Sequence, residues 1–248
     1  VIPCLDCDVR EGKVVVLKGW QFGKLRYAGD PVELAERYQE ADELVVLDIG
    51  ATEQKRETFL EAISDVASVC SIPLCVGGGV RSFSDFEKRI KNGADQVGIN
   101  TAAIKDPALI SQCAEEFGSQ AVVVAVDAKK VGNSFICFTN AGKKISSWEL
   151  RAWLREIERR GAGEVLLTSI DRDGTGEGFD IPMLQDAGKA SSLPLIASGG
   201  CDSVDDMVEV FEKTSASGAL AASIFHFKKT TVERCKRELA EKGIEVRT

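Results

Sequence analysis

Two aspartates carry the first chemical signal. Asp6 closes the apolar run VIPCLD and Asp127 closes AVVVAVD, 121 positions later. A carboxyl group at the end of a buried strand suits general acid or base work, because burial and neighbouring charges move its pKa toward neutrality. Two of them on opposite walls of one site can give a proton to one side of a substrate and take one from the other. The plainer alternative is that each caps the loop that follows. Three further pairs share the spacing. Asp48 and Ser169 are 121 apart, Gly79 and Gly200 are 121 apart, and Thr101 and Ser223 are 122 apart. A nearly constant offset over four strand ends predicts a duplicated half.

Glycine-rich ends supply the second signal. Gly77-Gly78-Gly79 follows one apolar run and Asn100-Thr101 follows the next; Gly199-Gly200 and Ala222-Ser223 occupy the matching places in the second half. Without a Cβ, backbone N–H groups approach a phosphate closely, and the start of a helix adds partial positive charge. Tight turns also need glycine, so one such run says little, but a related pair predicts two phosphate cradles and a substrate phosphorylated at both ends. The segment Asp171-Arg-Asp173-Gly174-Thr reads as a loop at the same mouth, and Lys18 reads as a mobile point charge for phosphate or a solvated loop lysine. His226, the one histidine, reads as packing, and the helix-spaced Trp148 and Trp153 as packing or partner surface.

Eight short apolar runs must position these residues, and they alternate with charged, helix-period stretches. Asp30-Pro31 predicts a helix start, and Ser84 with Glu87 predicts a capping box in the third helix. Eight βα units in 248 residues predict an α/β fold, a single (β/α)8 barrel domain spanning 1–248 and built from two similar (β/α)4 halves. In such a barrel all strand C-termini open at one face, which puts Asp6 and Asp127 across a shared mouth. The stretch VGNSFICFTNAGKK after the fifth run predicts an appended hairpin, and SSWELRAWLREIERRG the helix after it.

Composition bounds the partners. Lys and Arg number 31 against 39 Asp and Glu, a net charge of −8, which argues against a broad nucleic-acid footprint. No stretch reaches the length of a membrane span, and the start lacks the pattern of a signal peptide. The eight cysteines lie largely in apolar runs, which suits reduced, buried thiols and a cytoplasmic location. Cys4 and Cys7 have CxxC spacing, but on a strand they face opposite ways and cannot easily chelate one metal.

The residues resemble a known family, the cyclase subunit of imidazole glycerol phosphate synthase. The resemblance rests on CLD at 4–6, KG at 18–19, AGDPVELA at 28–35, VGGG at 76–79, INTAA at 99–103, GSQAVVVAVDAK at 118–129, RGAGEVLLTSIDRDGT at 160–175, IASGG at 196–200 and AASIFHF at 221–227. The sister isomerase of histidine biosynthesis shares the repeat but differs in the motif after strand six. The resemblance implies a lyase-type cyclisation in histidine biosynthesis, without cofactor or metal. Ammonia adds to a phosphoribulosyl-formimino aminoimidazole carboxamide ribotide, giving imidazole glycerol phosphate and aminoimidazole carboxamide ribotide. It places the acid/base pair on Asp6 and Asp127, and substrate or phosphate contacts on Lys18, Asp48, Gly78, Gly79, Asn100, Thr101, Thr168, Asp173, Gly174, Ser198, Gly199, Gly200, Ala222 and Ser223. It also implies a separate glutaminase subunit on the opposite face, with ammonia passing along the barrel axis. Glu43 and Glu164 match the family's acidic gate, Gln96 stands where a lysine is usual, the usual arginine ahead of strand one is absent from a sequence that begins at Val1, and Asp95 matches an interface position. The chain is two residues shorter than the family between Glu40 and Asp42. A related barrel using ammonia on another phosphorylated or sugar substrate, and a non-catalytic phosphate-binding scaffold, stay open at this point.

Overall fold

The computed structural model describes residues 1–11, 13–18, 26–51 and 59–247, and of Lys18 the backbone only. Its strands in chain order are β1 (Ile2–Arg10), β2 (Lys13–Lys18), β3 (Arg26–Gly29), β4 (Leu44–Asp48), β5 (Leu74–Gly77), β6 (Gln96–Ile99), β7 (Val122–Val131), β8 (Ser134–Thr139), β9 (Lys144–Glu149), β10 (Glu164–Ser169), β11 (Leu195–Ser198) and β12 (Gly218–Ala221). Eight of them pair in parallel in the order β1, β4, β5, β6, β7, β10, β11, β12, and β12 pairs β1 again. The sheet is therefore a closed barrel, and the chain has the (β/α)8 fold. The strands are buried on both faces, which is why runs such as LVVLD and VVVAVD are apolar without alternation. Inside the barrel, Cys4, Cys75, Val123, Leu166, Ile196 and Leu220 share one packed cluster. Cys7 lies in the separate outer cluster between strands and helices, so the two CxxC thiols do face opposite ways.

Helices α1 (Pro31–Arg37), α2 (Leu60–Val69), α3 (Phe83–Lys91), α4 (Thr101–Lys105), α5 (Ala108–Phe117), α6 (Leu150–Arg159), α7 (Ile181–Gly188), α8 (Val204–Lys213), α9 (Ser223–His226) and α10 (Val232–Glu241) cover the barrel. Asp30 caps α1 by accepting from the N–H groups of Val32 and Glu33 at 2.9 and 3.3 Å. The third predicted helix starts earlier than expected. Its cap is Ser82, not Ser84, because Ser82 Oγ accepts from Asp85 N–H while the Asp85 carboxylate turns back to Arg81 N–H. The same arrangement recurs 121 positions on, with Ser203 and Asp206 around the start of α8. The duplicated half thus reaches down to individual caps. Two short helices, α4 and α9, were not expected; they begin at Thr101 and Ser223, again in matching places.

Asp6 and Asp127 do not end their strands, as their runs suggested. β1 and β7 both continue past the barrel rim as edges of antiparallel ribbons, β1–β2–β3 and β7–β8–β9. Only the second ribbon is heralded by a turn-rich sequence. It also takes residues 144–149, which the sequence assigns partly to a helix, so that α6 starts only at Leu150.

Candidate active site

Both aspartates lie where a barrel strand becomes a ribbon. The last parallel pair of β1 with β4 is Cys7 with Asp48, and its antiparallel pairing with β2 starts at Cys7 with Val16. Asp127 pairs Thr168 on one side and Phe138 on the other. β1 and β7 are four strands apart in a barrel of eight, so the two residues come from opposite walls. Both line one cavity of about 750 Å³ at the C-terminal ends of the strands. Its floor is the inner cluster, with Cys4, Cys75, Leu166 and Leu220 exposed to it.

Burial pushes Asp127 up to about 6; Asp173 adds to the rise, while Asn100 Nδ2 at 2.9 Å and the backbone N–H of Gly142 donate to the carboxylate and hold it back. Asp6 accepts a long contact of 3.6 Å from the Cys4 thiol. A carboxyl group titrating close to neutrality inside a cavity can both hold and release a proton under working conditions.

Around this pair the cavity wall contains Asp48, Gly78, Gly79, Asn100, Thr101, Thr168, Asp173, Gly174, Ser198, Gly199, Gly200, Ala222 and Ser223, each expected there from sequence. The Lys18 side chain and Gly19 lie outside the described residues. Part of the glycine signal is structural. A Cβ on Gly78 would stand 2.2 Å from the Asp48 carbonyl oxygen, and one on Gly199 would stand 2.9 Å from that of Ser169. Both turns fold tightly over the neighbouring strand end, at φ +92° and +95°. Asp48 is itself occupied, its Oδ1 accepting from Gly50 and Ala51 N–H at 3.2 and 2.9 Å. Asp171 faces away from this role, binding Lys130 N–H and the Lys129 ammonium.

Sequence reasoning missed several wall residues. Arg26 arrives on β3, and Ala141 and Gly142 on the β8–β9 turn, whose Asn140 N–H donates to Thr101 Oγ1 at 3.0 Å. Asp202 and Lys229 form an ion pair at the rim. Among the described wall residues, five aspartates face only two cations, Arg26 and Lys229. Any anionic ligand there depends heavily on backbone N–H groups. The expected packing residues behave as packing. His226 is clamped between Tyr38 Oη at 2.7 Å and the Cys4 carbonyl at 2.9 Å, and Trp148 lies against buried Trp153 with ring centres 5.0 Å apart.

Glu43, Gln96 and Glu164 are not in the cavity. They stand at the N-terminal ends of β4, β6 and β10, on the opposite face. Burial raises Glu43 to about 8, helped by Glu164 and Asp95 against the Val1 ammonium; it raises Glu164 to about 7, against a hydrogen bond from Gln96. Both glutamates also raise the buried Cys75 thiol, which forms part of the cavity floor. Cys75 thus stands near both the acidic base and the cavity floor. Asp95 has a fold role of its own, its Oδ2 accepting from Leu74 N–H at 2.9 Å at the start of β5. The edge at Glu40–Asp42 is tied down by Lys236, which binds Asp42 and the Glu40 carbonyl.

No helix among the described residues is long and apolar enough to cross a membrane, and no group of three metal-binding side chains is assembled among them. Residues 1–231 match the family described as histidine biosynthesis protein. Three relatives, from Natranaerobius thermophilus, Streptococcus mutans and Geobacillus kaustophilus, are 48%, 50% and 49% identical over 100% of this chain and 98% of their own lengths. Each is an imidazole glycerol phosphate synthase subunit HisF. With the barrel, the duplicated halves and this likeness along its whole length, the chain belongs to the histidine biosynthesis protein family, among the HisF subunits of imidazole glycerol phosphate synthase.

Proposed function

We propose that this chain, working as a single barrel domain in the cytoplasm, is the cyclase of imidazole glycerol phosphate synthase. It adds ammonia to the phosphoribulosyl-formimino aminoimidazole carboxamide ribotide, closes the imidazole ring, and releases imidazole glycerol phosphate, aminoimidazole carboxamide ribotide and one water formed from the ribulosyl carbonyl oxygen. The observation that carries the reading is one cavity holding two aspartates from opposite walls. Glycine turns flank the pair on both sides, in the places where a substrate with a phosphate at each end needs them. In this reading the Gly78–Gly79 turn with Asn100 and Thr101 takes one phosphate, and the Gly199–Gly200 turn with Ala222 and Ser223 takes the other. Backbone donors serve there because they carry no desolvation cost of a buried cation. Asp48, Thr168, Asp173, Gly174 and Ser198 line the span between, and Lys18 adds a charge from β2.

The reacting middle of the substrate then lies between Asp6 and Asp127. Ammonia attack and ring closure need protons removed from the incoming nitrogen; the carbonyl oxygen needs protons to leave as water, and cleavage needs a proton on the departing nitrogen. A carboxyl poised near 6 serves either need, and its partner across the cavity serves the other. The two exchange roles as the steps follow one another.

Ammonia in this reading comes from a separate glutaminase subunit seated on the N-terminal face, beside Asp95. It passes the gate of Glu43, Gln96 and Glu164 and crosses the barrel interior beside Cys75. Glutamine stands in this gate where a lysine is usual in the family.

The test is ammonium-dependent consumption of the ribulosyl substrate followed by absorbance. Asp6→Asn and Asp127→Asn are expected to fold and bind substrate yet lose turnover by about 10²–10⁴ even at high ammonium chloride. Near-wild-type turnover in either variant removes the acid/base pair from the mechanism.

A further inference from the structure

Arg89 is the one arginine in the buried core of the described chain, 2% exposed, on the inner side of α3. Among the described residues its guanidinium reaches two backbone oxygens: Nη2 donates to the Gly78 carbonyl at 2.7 Å and Nη1 to the Asp85 carbonyl at 2.6 Å. The first of these bonds has a geometric consequence. The Gly78 carbonyl and the Gly79 N–H belong to one planar trans peptide, so they point in opposite directions. Gly78 and Gly79 both have positive φ, +92° and +66°, and glycine on both sides leaves that plane free to rotate at little cost. A charge-assisted hydrogen bond on the carbonyl, drawn toward α3, selects the orientation that turns the Gly79 N–H away from α3. Gly79 borders the cavity on that other side.

The second half supplies an internal control. Its turn has the same glycines, Gly199 and Gly200 at φ +95° and +99°, and the same Ser–Asp cap on the following helix. The position 121 beyond Arg89 is Val210, fully buried and apolar. Packing at this site is thus satisfied by valine, and a buried guanidinium is a costlier choice. The second turn is tied instead by Gly178 N–H to the Gly200 carbonyl at 2.9 Å, which fixes the next peptide along.

We propose that Arg89 is a positioning residue for the strand-three phosphate cradle, holding the Gly78–Gly79 peptide so that the Gly79 N–H is preset for one phosphate of the substrate, and that the two cradles therefore differ in how they are preorganised. This rests on the reading of both turns as phosphate cradles. Arg89 touches no substrate atom; it acts through the peptide it grips. Without it the competent orientation is one of several, and apparent affinity falls by the fraction of time it is populated.

Arg89→Leu and Arg89→Lys test this, with steady-state kinetics at saturating ammonium chloride and ¹⁵N–¹H titrations of the Gly79 and Gly200 amides with inorganic phosphate. Arg89→Leu is expected to raise KM for the ribulosyl substrate about tenfold and weaken the Gly79 response by a similar factor. It leaves kcat within about twofold and the Gly200 response unchanged. Arg89→Lys keeps one donor and falls between wild type and Arg89→Leu. A folded Arg89→Leu with unchanged KM and unchanged Gly79 response overturns the proposal, as does equal loss at both amides, which marks a general fold effect. If Arg89→Leu does not fold, Arg89→Lys decides by the same comparison of the two amides. A wild-type protein in which phosphate moves neither amide overturns the cradle reading itself, and that result is separable from a loss confined to Gly79.

Discussion

Asp127 shows how one residue sets function against stability. Its ordinary pKa of 3.8 rises to about 6 through burial, with the Asn100 and Gly142 donors limiting the rise. Between those two values the folded chain holds a proton that the unfolded chain has released. Stability from this group is therefore greatest in acid and falls as pH climbs through 6. Asp127→Asn removes the buried charge while keeping the shape. It is expected to abolish turnover and yet to raise unfolding free energy at pH 7.5 by roughly 1–3 kcal/mol, read by urea denaturation. A variant less stable than wild type at that pH would mean that the carboxylate is well solvated or well paired in the fold. Asn100→Ala moves the same group the other way. Loss of a donor to the ionised form raises Asp127 further, so the pH–kcat profile should shift alkaline rather than merely drop in height.

At the scale of elements, the glycine turns are fixed by approach distance as much as by φ. Gly78 and Gly132 both have positive φ, but a Cβ on Gly78 would sit 2.2 Å from the Asp48 carbonyl, whereas one on Gly132, in the β7–β8 turn, meets nothing within 4 Å. Gly132→Ala should cost about 1 kcal/mol, the conformational penalty alone. Gly78→Ala should cost about 3 kcal/mol or more, since two backbones must separate. Equal losses in urea denaturation would show that the turn can relax. Such contrasts explain what the sequence could and could not tell. Barrel strands and the principal helices are legible because their signals are local: apolar runs, a cap, a helical period. The cradle residues are legible because the repeat relates them in pairs. Arg26, Ala141, Gly142 and Lys229 are not, because they reach the cavity through ribbon pairing and a rim ion pair that join distant segments. Ser82 was passed over for Ser84 because both fit a serine-plus-acid spacing, and only the backbone shows which serine precedes the first helical turn.

At the scale of the molecule, the two ends of the barrel hold protons in the same pH range for the same reason. Asp127 at the mouth and Glu43 and Glu164 at the base are all raised chiefly by burial, to about 6, 8 and 7. In the proposed reading the N-terminal-face pair matters for ammonia. Two ionised glutamates facing each other would form a trap for ammonium, whereas protonated ones offer hydroxyl donors and no net charge, and Gln96 adds none. The raised pKa values of Glu43 and Glu164 thus reduce the negative charge where the proposed reading has a neutral molecule pass. The thermodynamic consequence has a definite sign. Each of the three groups binds a proton in the native state that the unfolded chain loses above about pH 4–5, so their contribution fades as pH rises toward 8. Asp42, lowered by its cationic partners, acts in the opposite sense, but its contribution is lost only in acid, outside this window. The melting temperature is therefore expected to fall by roughly 5 °C or more between pH 6 and pH 8.5, corresponding to about 2 kcal/mol. The double variant Glu43→Gln/Glu164→Gln should flatten most of that slope and melt higher than wild type at pH 8.5. Calorimetry across the range decides the matter. A wild-type melting temperature level from pH 6 to 8.5 would mean that the glutamates ionise freely, and the barrel base would then have to hold ammonium rather than let ammonia through.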